Sequence, residues 1–142
     1  MLNRANSCSA DALSRAFDAR HIAVFGASAT PGKWGYVAVD ELLKAGYDRK
    51  LTLINPRGGE AFGHKFVTAD AAQGADLAVI AAPGTAAVDI VRQCGELSIP
   101  IVVLYASGFS EQGNHTAQAE LVAAARAAGV RIVGPNCVGF SA

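Results

Sequence analysis

Two short stretches hold the residues best suited to handling an anion. One is "GASATPGKWG", Gly26 to Gly35, directly after the apolar run "HIAVF"; the other is "NPRGG", Asn55 to Gly59, directly after "LTLI". The first is a long turn through Gly26, Ser28, Ala29, Thr30, Pro31 and Gly32 that delivers two hydroxyls and free backbone N–H groups to the start of a helix, where negative charge is favoured. Lys33 either adds a cation there or is an ordinary solvated first-turn lysine. Two common phosphate cradles do not fit. A GxGxxG fingerprint starting at Gly26 needs glycine where Ser28 stands; GxxxxGK[ST] counted from Gly26 needs glycine where Pro31 stands, and it needs a hydroxyl after its lysine, whereas Trp34 follows Lys33.

The second stretch discriminates between ligands. A domain that binds NAD usually ends its second strand in an acid for the ribose hydroxyls, roughly 20 residues or more past the glycines. Here the strand ends in Asn55, Pro56 and Arg57. An arginine in a fixed turn, with Gly58 and Gly59 clearing space beside it, suits a phosphate near the ribose, compatible with NADP or with the 3′-phosphate of coenzyme A. The alternative is an arginine exposed in a turn. Two further turns, "APG" around Pro83 and "YASGFSEQG" with Ala106, Ser107 and Gly108, end other apolar runs. Glycine and proline serve any tight strand-to-helix turn, but four such turns on one rim favour a ligand.

These turns need a scaffold that brings them together, and the periodicity provides one. Short runs rich in β-branched residues, Ile22–Gly26, Leu51–Asn55, Leu77–Ala82, Ile101–Ser107 and Arg131–Val133, alternate with helical segments at Trp34–Ala45, Thr85–Leu97 and Thr116–Ala128. This is the pattern of repeated βα units, an α/β doubly wound, mainly parallel sheet with helices on both faces, whose ligands bind beyond the carboxyl ends of the strands. In the first helix, Trp34, Val37, Ala38, Leu42 and Ala45 form the apolar stripe, and Gly46 is expected to terminate it. "AFGHKFVTADAAQGAD" is the least decided segment, with a short extra strand expected at Lys65–Val67. Asp11–Ala19 is expected as a leading helix, so residues 1–20 read as a lead-in and 21–142 as the domain.

Composition excludes several function classes. The 142 residues suit one domain, and 12 Lys+Arg against 12 Asp+Glu leave no basic field for nucleic acid or an anionic membrane. Cys8, Cys94 and Cys137 are odd in number and widely spaced, against both a disulfide framework and a zinc site. The N-terminal segment lacks a continuous apolar core for a signal peptide, the apolar runs are too short to span a bilayer, and a soluble protein of the reducing cytoplasm is expected.

Taken in order, "IAVFGASATPGKWG", "LINPRGGEAFGHK", "DLAVIAAPG", "YASGFSEQG" and "GPNCVGF" resemble the coenzyme A-binding domain of NDP-forming acyl-CoA synthetases, relatives of the succinyl-CoA synthetase α chain. The resemblance runs from His21 to Phe140 and rests on the ordered set. It implies a Rossmann-like fold, with Ser28 to Lys33 cradling the phosphates of coenzyme A and Arg57 near its adenosine end. It also implies Pro83 and the Ala106–Gly108 turn beside the pantetheine arm, and Asn136 organising the last loop. The family's complete enzymes join an acid to coenzyme A with ATP or another nucleotide and Mg, through an acyl phosphate and a phosphohistidine carried by further domains. The resemblance therefore implies that this chain would act with the remaining ligase domains or subunit and would be inactive alone.

His21, His64 and His115 do not match the family's phosphohistidine segment, and no catalytic residue or metal ligand is assigned to the chain. Cys137 reads as a small buried apolar residue. Two other readings stay open: a stand-alone coenzyme A-binding regulatory module, and the NADP-binding domain of a reductase.

Overall fold

The computed structural model describes residues 18–82, 84–105 and 115–133. Five parallel strands form the sheet: β1 (His21–Phe25), β2 (Lys50–Ile54), β5 (Leu77–Ala81), β6 (Ile101–Tyr105) and β7 (Arg131–Val133), in the order β2-β1-β5-β6-β7. Three helices connect them: α1 (Trp34–Lys44) between β1 and β2, α2 (Gly84–Glu96) between β5 and β6, and α3 (His115–Ala128) between β6 and β7. A hairpin of β3 (Glu60–Ala61) and β4 (His64–Lys65) and a 3-10 turn at Ala69–Ala72 fill the connection from β2 to β5. The expected mainly parallel, doubly wound α/β sheet is present.

Alternation along β1 shows how both faces are buried. Ile22 and Val24 pack on the α1 side with Ala38, Val39, Leu53 and Val79, while Ala23 and Phe25 pack on the other with Ile80, Val91, Leu121 and Ala124 of β5, α2 and α3. Small side chains in α2 and α3 let those helices touch, since a Cβ on Gly95 would stand 2.6 Å from the Cβ of Ala128. Chain order reverses direction between β1 and β5, so the connections leaving these two neighbours diverge to opposite faces. The crevice at their carboxyl ends is where this topology places ligands.

Element ends follow local chemistry. Helix α1 stops at Gly46 (φ +89), where the N–H groups of Gly46 and Tyr47 bond back to Leu43 and Leu42, the closure expected of a left-handed cap. Helix α2 ends the same way without a glycine: Ser98 takes the left-handed conformation (φ +59) while Ile99 bonds back to Cys94. The undecided segment contains a hairpin, not a strand over Lys65–Val67. Lys65 belongs to β4, and Val67 alone bridges Ile54 in parallel at the outer edge of β2.

The apolar face of α1 differs from the expected stripe. Gly35, Ala38 and Val39 are the buried positions, whereas Trp34 is 51% exposed and Ala45 lies outside. Lacking a side chain, Gly35 lets the helix press directly on the backbone leaving β1, and this contact fixes the rotation that turns Trp34 outward. The expected leading helix lies outside the described residues except for its last two positions.

Candidate functional site

The turn after β1 is set by one backbone contact. Gly26 has φ +81, and a Cβ there would stand 2.0 Å from the carbonyl oxygen of Ala81 on β5, so only glycine fits between these strand ends. Its N–H and that of Ala27 both donate to the carbonyl of Ile54, at 3.1 and 3.2 Å, which draws the end of β2 to the same point. Ser28 shapes the next step, its Oγ accepting the Thr30 N–H at 3.0 Å. Ala29, Thr30, Pro31, Gly32 and Lys33 then run along the exposed rim into α1.

Helix α1 enters this rim at close range. A Cβ on Gly35 would lie 2.0 Å from the carbonyl oxygen of Gly26, and Lys33 occupies the N-cap position in extended conformation with no side-chain hydrogen bond to the first turn. The N-cap side chain thus satisfies none of the first-turn N–H groups of α1, and a helix N-terminus is where an anion is favoured. Lys33 is exposed beside it.

Asn55 joins the second loop to the first. Its Nδ2 donates to the Ala27 carbonyl at 3.0 Å, and its Oδ1 accepts the Arg57 N–H at 3.0 Å. The carbonyl of Asn55 also accepts the Gly58 N–H at 2.9 Å. Pro56 and Arg57 are exposed at the apex of this turn, and the Arg57 guanidinium makes no hydrogen bond or ion pair among the described residues. The hairpin braces the turn: Phe66 donates its N–H to the Gly59 carbonyl at 2.8 Å, and Phe62 (φ +55) packs at a tilt against Tyr36 of α1 with ring centroids 4.7 Å apart. Two of the four expected turns are therefore locked together, with Lys33 and Arg57 on the same end of the sheet.

The profile of the family described as "CoA binding domain" matches residues 20–142. The chain belongs to this CoA-binding family. Relatives agree: it is 36% identical over 135 residues to the α subunit of ADP-forming acetate–CoA ligase I from Pyrococcus furiosus, covering 89% of this chain and 29% of that one. A solved apo acetyl-coenzyme A synthetase from Ca. Korarchaeum cryptofilum superimposes with a TM-score of 0.84 at 36% identity, covering 91% of this chain and 29% of that one. The chain thus spans under a third of the length of these relatives. A structure from Thermus thermophilus, 28% identical with a TM-score of 0.66, is instead spanned over 92% of its length.

Within the family frame the remaining expectations divide by position. Pro83, Ala106, Ser107, Gly108, Asn136, Cys137 and Cys8 lie outside the described residues. His21 sits at the opposite end of β1 from the site, its Nε2 hydrogen-bonded to Thr52 Oγ1 at 2.7 Å, with its backbone N–H and that of Arg20 donating to Asp76 Oδ2. Burial foremost, then the positive charge of Lys50, hold its pKa below the usual 6.5, with Asp76 opposing; the neutral ring belongs to the fold. His64 is half-buried in the hairpin, and His115 begins α3. Cys94 is a buried core thiol whose pKa burial pushes up to about 12. No described helix is long and apolar enough to cross a membrane.

Sequence reasoning assigned no part to Gly35, Tyr36 or Phe62. The signal for Gly35 was the glycine nine residues after Gly26, just inside a helix, where glycine is otherwise disfavoured. The Tyr36–Phe62 contact had no sequence signal.

Proposed function

We propose that this chain binds coenzyme A across the carboxyl ends of β1, β2 and β5, as the coenzyme-binding part of an ADP-forming acyl-CoA ligase. The observation that carries this reading is the coupling of the two loops through Asn55. It ties the turn that carries Arg57, an arginine where NAD-binding domains keep an acid, to the loop that leads into α1. The turn Ser28 to Lys33 holds the pyrophosphate with backbone N–H groups, the Ser28 and Thr30 hydroxyls and the Lys33 cation. Arg57 takes the 3′-phosphate. Asn55 acts through Arg57 and Ala27 as a positioning residue. Residues 21–142 form this domain, residues 1–20 lead into it, and Pro83 with the Ala106–Gly108 turn line the path of the pantetheine arm.

Acid activation and phosphate transfer belong, in this reading, to other domains or a partner subunit. The purified chain accordingly binds coenzyme A and forms no acyl-CoA from acid, coenzyme A and ATP; turnover by this chain alone would contradict the assignment. A second reading, a stand-alone coenzyme A-binding module, is favoured by the Thermus thermophilus structure of similar length. The native product distinguishes them: an antibody that detects a protein of the full relatives' size supports the ligase part, and one of this chain's size supports the module.

Titration with coenzyme A and with NADP tests the ligand itself. Saturable binding of coenzyme A, with much weaker binding of NADP, is expected. A preference for NADP would turn the reading toward a reductase.

A further inference from the structure

The rotation of α1 separates its three leading side-chain directions. Gly35 faces the Gly26 carbonyl, and Tyr36, about 100° further round the helix, faces Phe62 in the hairpin at the β2 edge. Trp34 lies about 100° the other way, on the side of the helix turned from the hairpin and the β2 edge, and the residue is 51% exposed. A half-exposed indole at the start of a helix covers little of the protein's own core, which the neighbouring Ala38 and Val39 fill. Arg57 stands on the opposite, β2 side of the same helix start.

We propose that the Trp34 indole is the wall along which the non-nucleotide arm of coenzyme A lies, making Trp34 a determinant of affinity for the pantetheine part of the ligand. This rests on the coenzyme A-binding reading above. A ligand held by its 3′-phosphate at Arg57 and by its pyrophosphate at the α1 start must send its remaining arm away from the β2 edge, and that direction crosses Trp34. The arm is an aliphatic chain with a gem-dimethyl group and two amides. A flat, amphipathic ring suits it, burying methyl and methylene groups while leaving the amides to water.

The test compares coenzyme A with adenosine 3′-phosphate 5′-diphosphate, which keeps every phosphate and lacks the arm. Trp34→Ala is expected to weaken coenzyme A binding about fivefold and to leave the nucleotide within about twofold, with Trp34→Phe close to wild type. Equal losses for both ligands, or none for either, would overturn the proposal. Because Trp34 is the single tryptophan of the chain, wild-type emission gives a reading free of any folding defect. Coenzyme A should change it and the nucleotide should not, and identical changes with both would count against an arm contact. Absence of coenzyme A binding to the wild type would instead remove the site, and this inference with it. Normal wild-type binding with no Trp34 effect removes this inference alone.

Discussion

Gly35 and Gly26 meet backbone to backbone: a Cβ on Gly35 would stand 2.0 Å from the Gly26 carbonyl oxygen and 3.1 Å from the Ala27 Cα. No flexible side chain can yield at that contact. Gly35→Ala must push the start of α1 off the end of β1, at a cost of about 1 to 3 kcal/mol, the range for an overpacked site. Urea unfolding should show the loss. Calorimetry should show weaker coenzyme A binding, because the helix start no longer faces the loop. Wild-type stability in Gly35→Ala would mean that the helix does not seat as described.

Asn55 predicts a coupling. Asn55→Ala removes the tie from Ala27 to Arg57, costing about 1 kcal/mol of stability and freeing the turn that carries the arginine. In a double-mutant cycle Arg57→Ala should then weaken coenzyme A binding by less in the Asn55→Ala background than in the wild type. Strict additivity would show that Asn55 does not position Arg57.

His21 makes stability depend on pH. Its folded pKa lies below the unfolded value, so the unfolded chain binds the proton more readily, and stability falls as pH drops below about 6.5 until the folded pKa is passed. Urea midpoints measured from pH 7.5 to 5 should decline in the wild type. The decline should be smaller in His21→Gln, which keeps a polar group near Thr52 without titrating. Parallel profiles would assign the pH dependence to other groups.

Cys94 should behave as an inert core thiol. Burial and a pKa near 12 leave almost no thiolate at neutral pH. Iodoacetamide at pH 8 should leave Cys94 unmodified in the native protein and label it in urea, as read by peptide mass spectrometry. Rapid native labelling would show that the contact between α2 and α3 opens readily.

The strands were readable because a buried parallel strand is a compact apolar run with a turn on each side. Arg131–Val133 matches residue for residue, and β1 and β2 differ from expectation by one residue at each end. In β1 the shift has a cause, since Gly26 has already left extended geometry for φ +81. The rotation of α1 was not readable. Periodicity weighs Trp34 as core, while the deciding fact, Gly35 pressed against Gly26, depends on where β1 ends in space. The hairpin escaped for a related reason: four paired residues with Phe62 in a left-handed conformation leave almost no alternation to detect, and what holds Phe62 is Tyr36, 26 residues earlier. In the site, residue types pointed to Arg57 and the Gly26–Lys33 turn. That Asn55 spends its amide oxygen and one amide N–H within the protein depends on where the two loops meet in the folded chain.

Calorimetry of four combinations, wild type and Arg57→Ala with coenzyme A and with dephospho-coenzyme A, tests the site most directly. If Arg57 holds the 3′-phosphate, Arg57→Ala loses about 1 to 3 kcal/mol with coenzyme A, the range for a charge-assisted hydrogen bond, and nothing with dephospho-coenzyme A, which both proteins should bind nearly equally. A deficit with both ligands would move Arg57 to the pyrophosphate. Full wild-type affinity of Arg57→Ala for coenzyme A would contradict the account of the site.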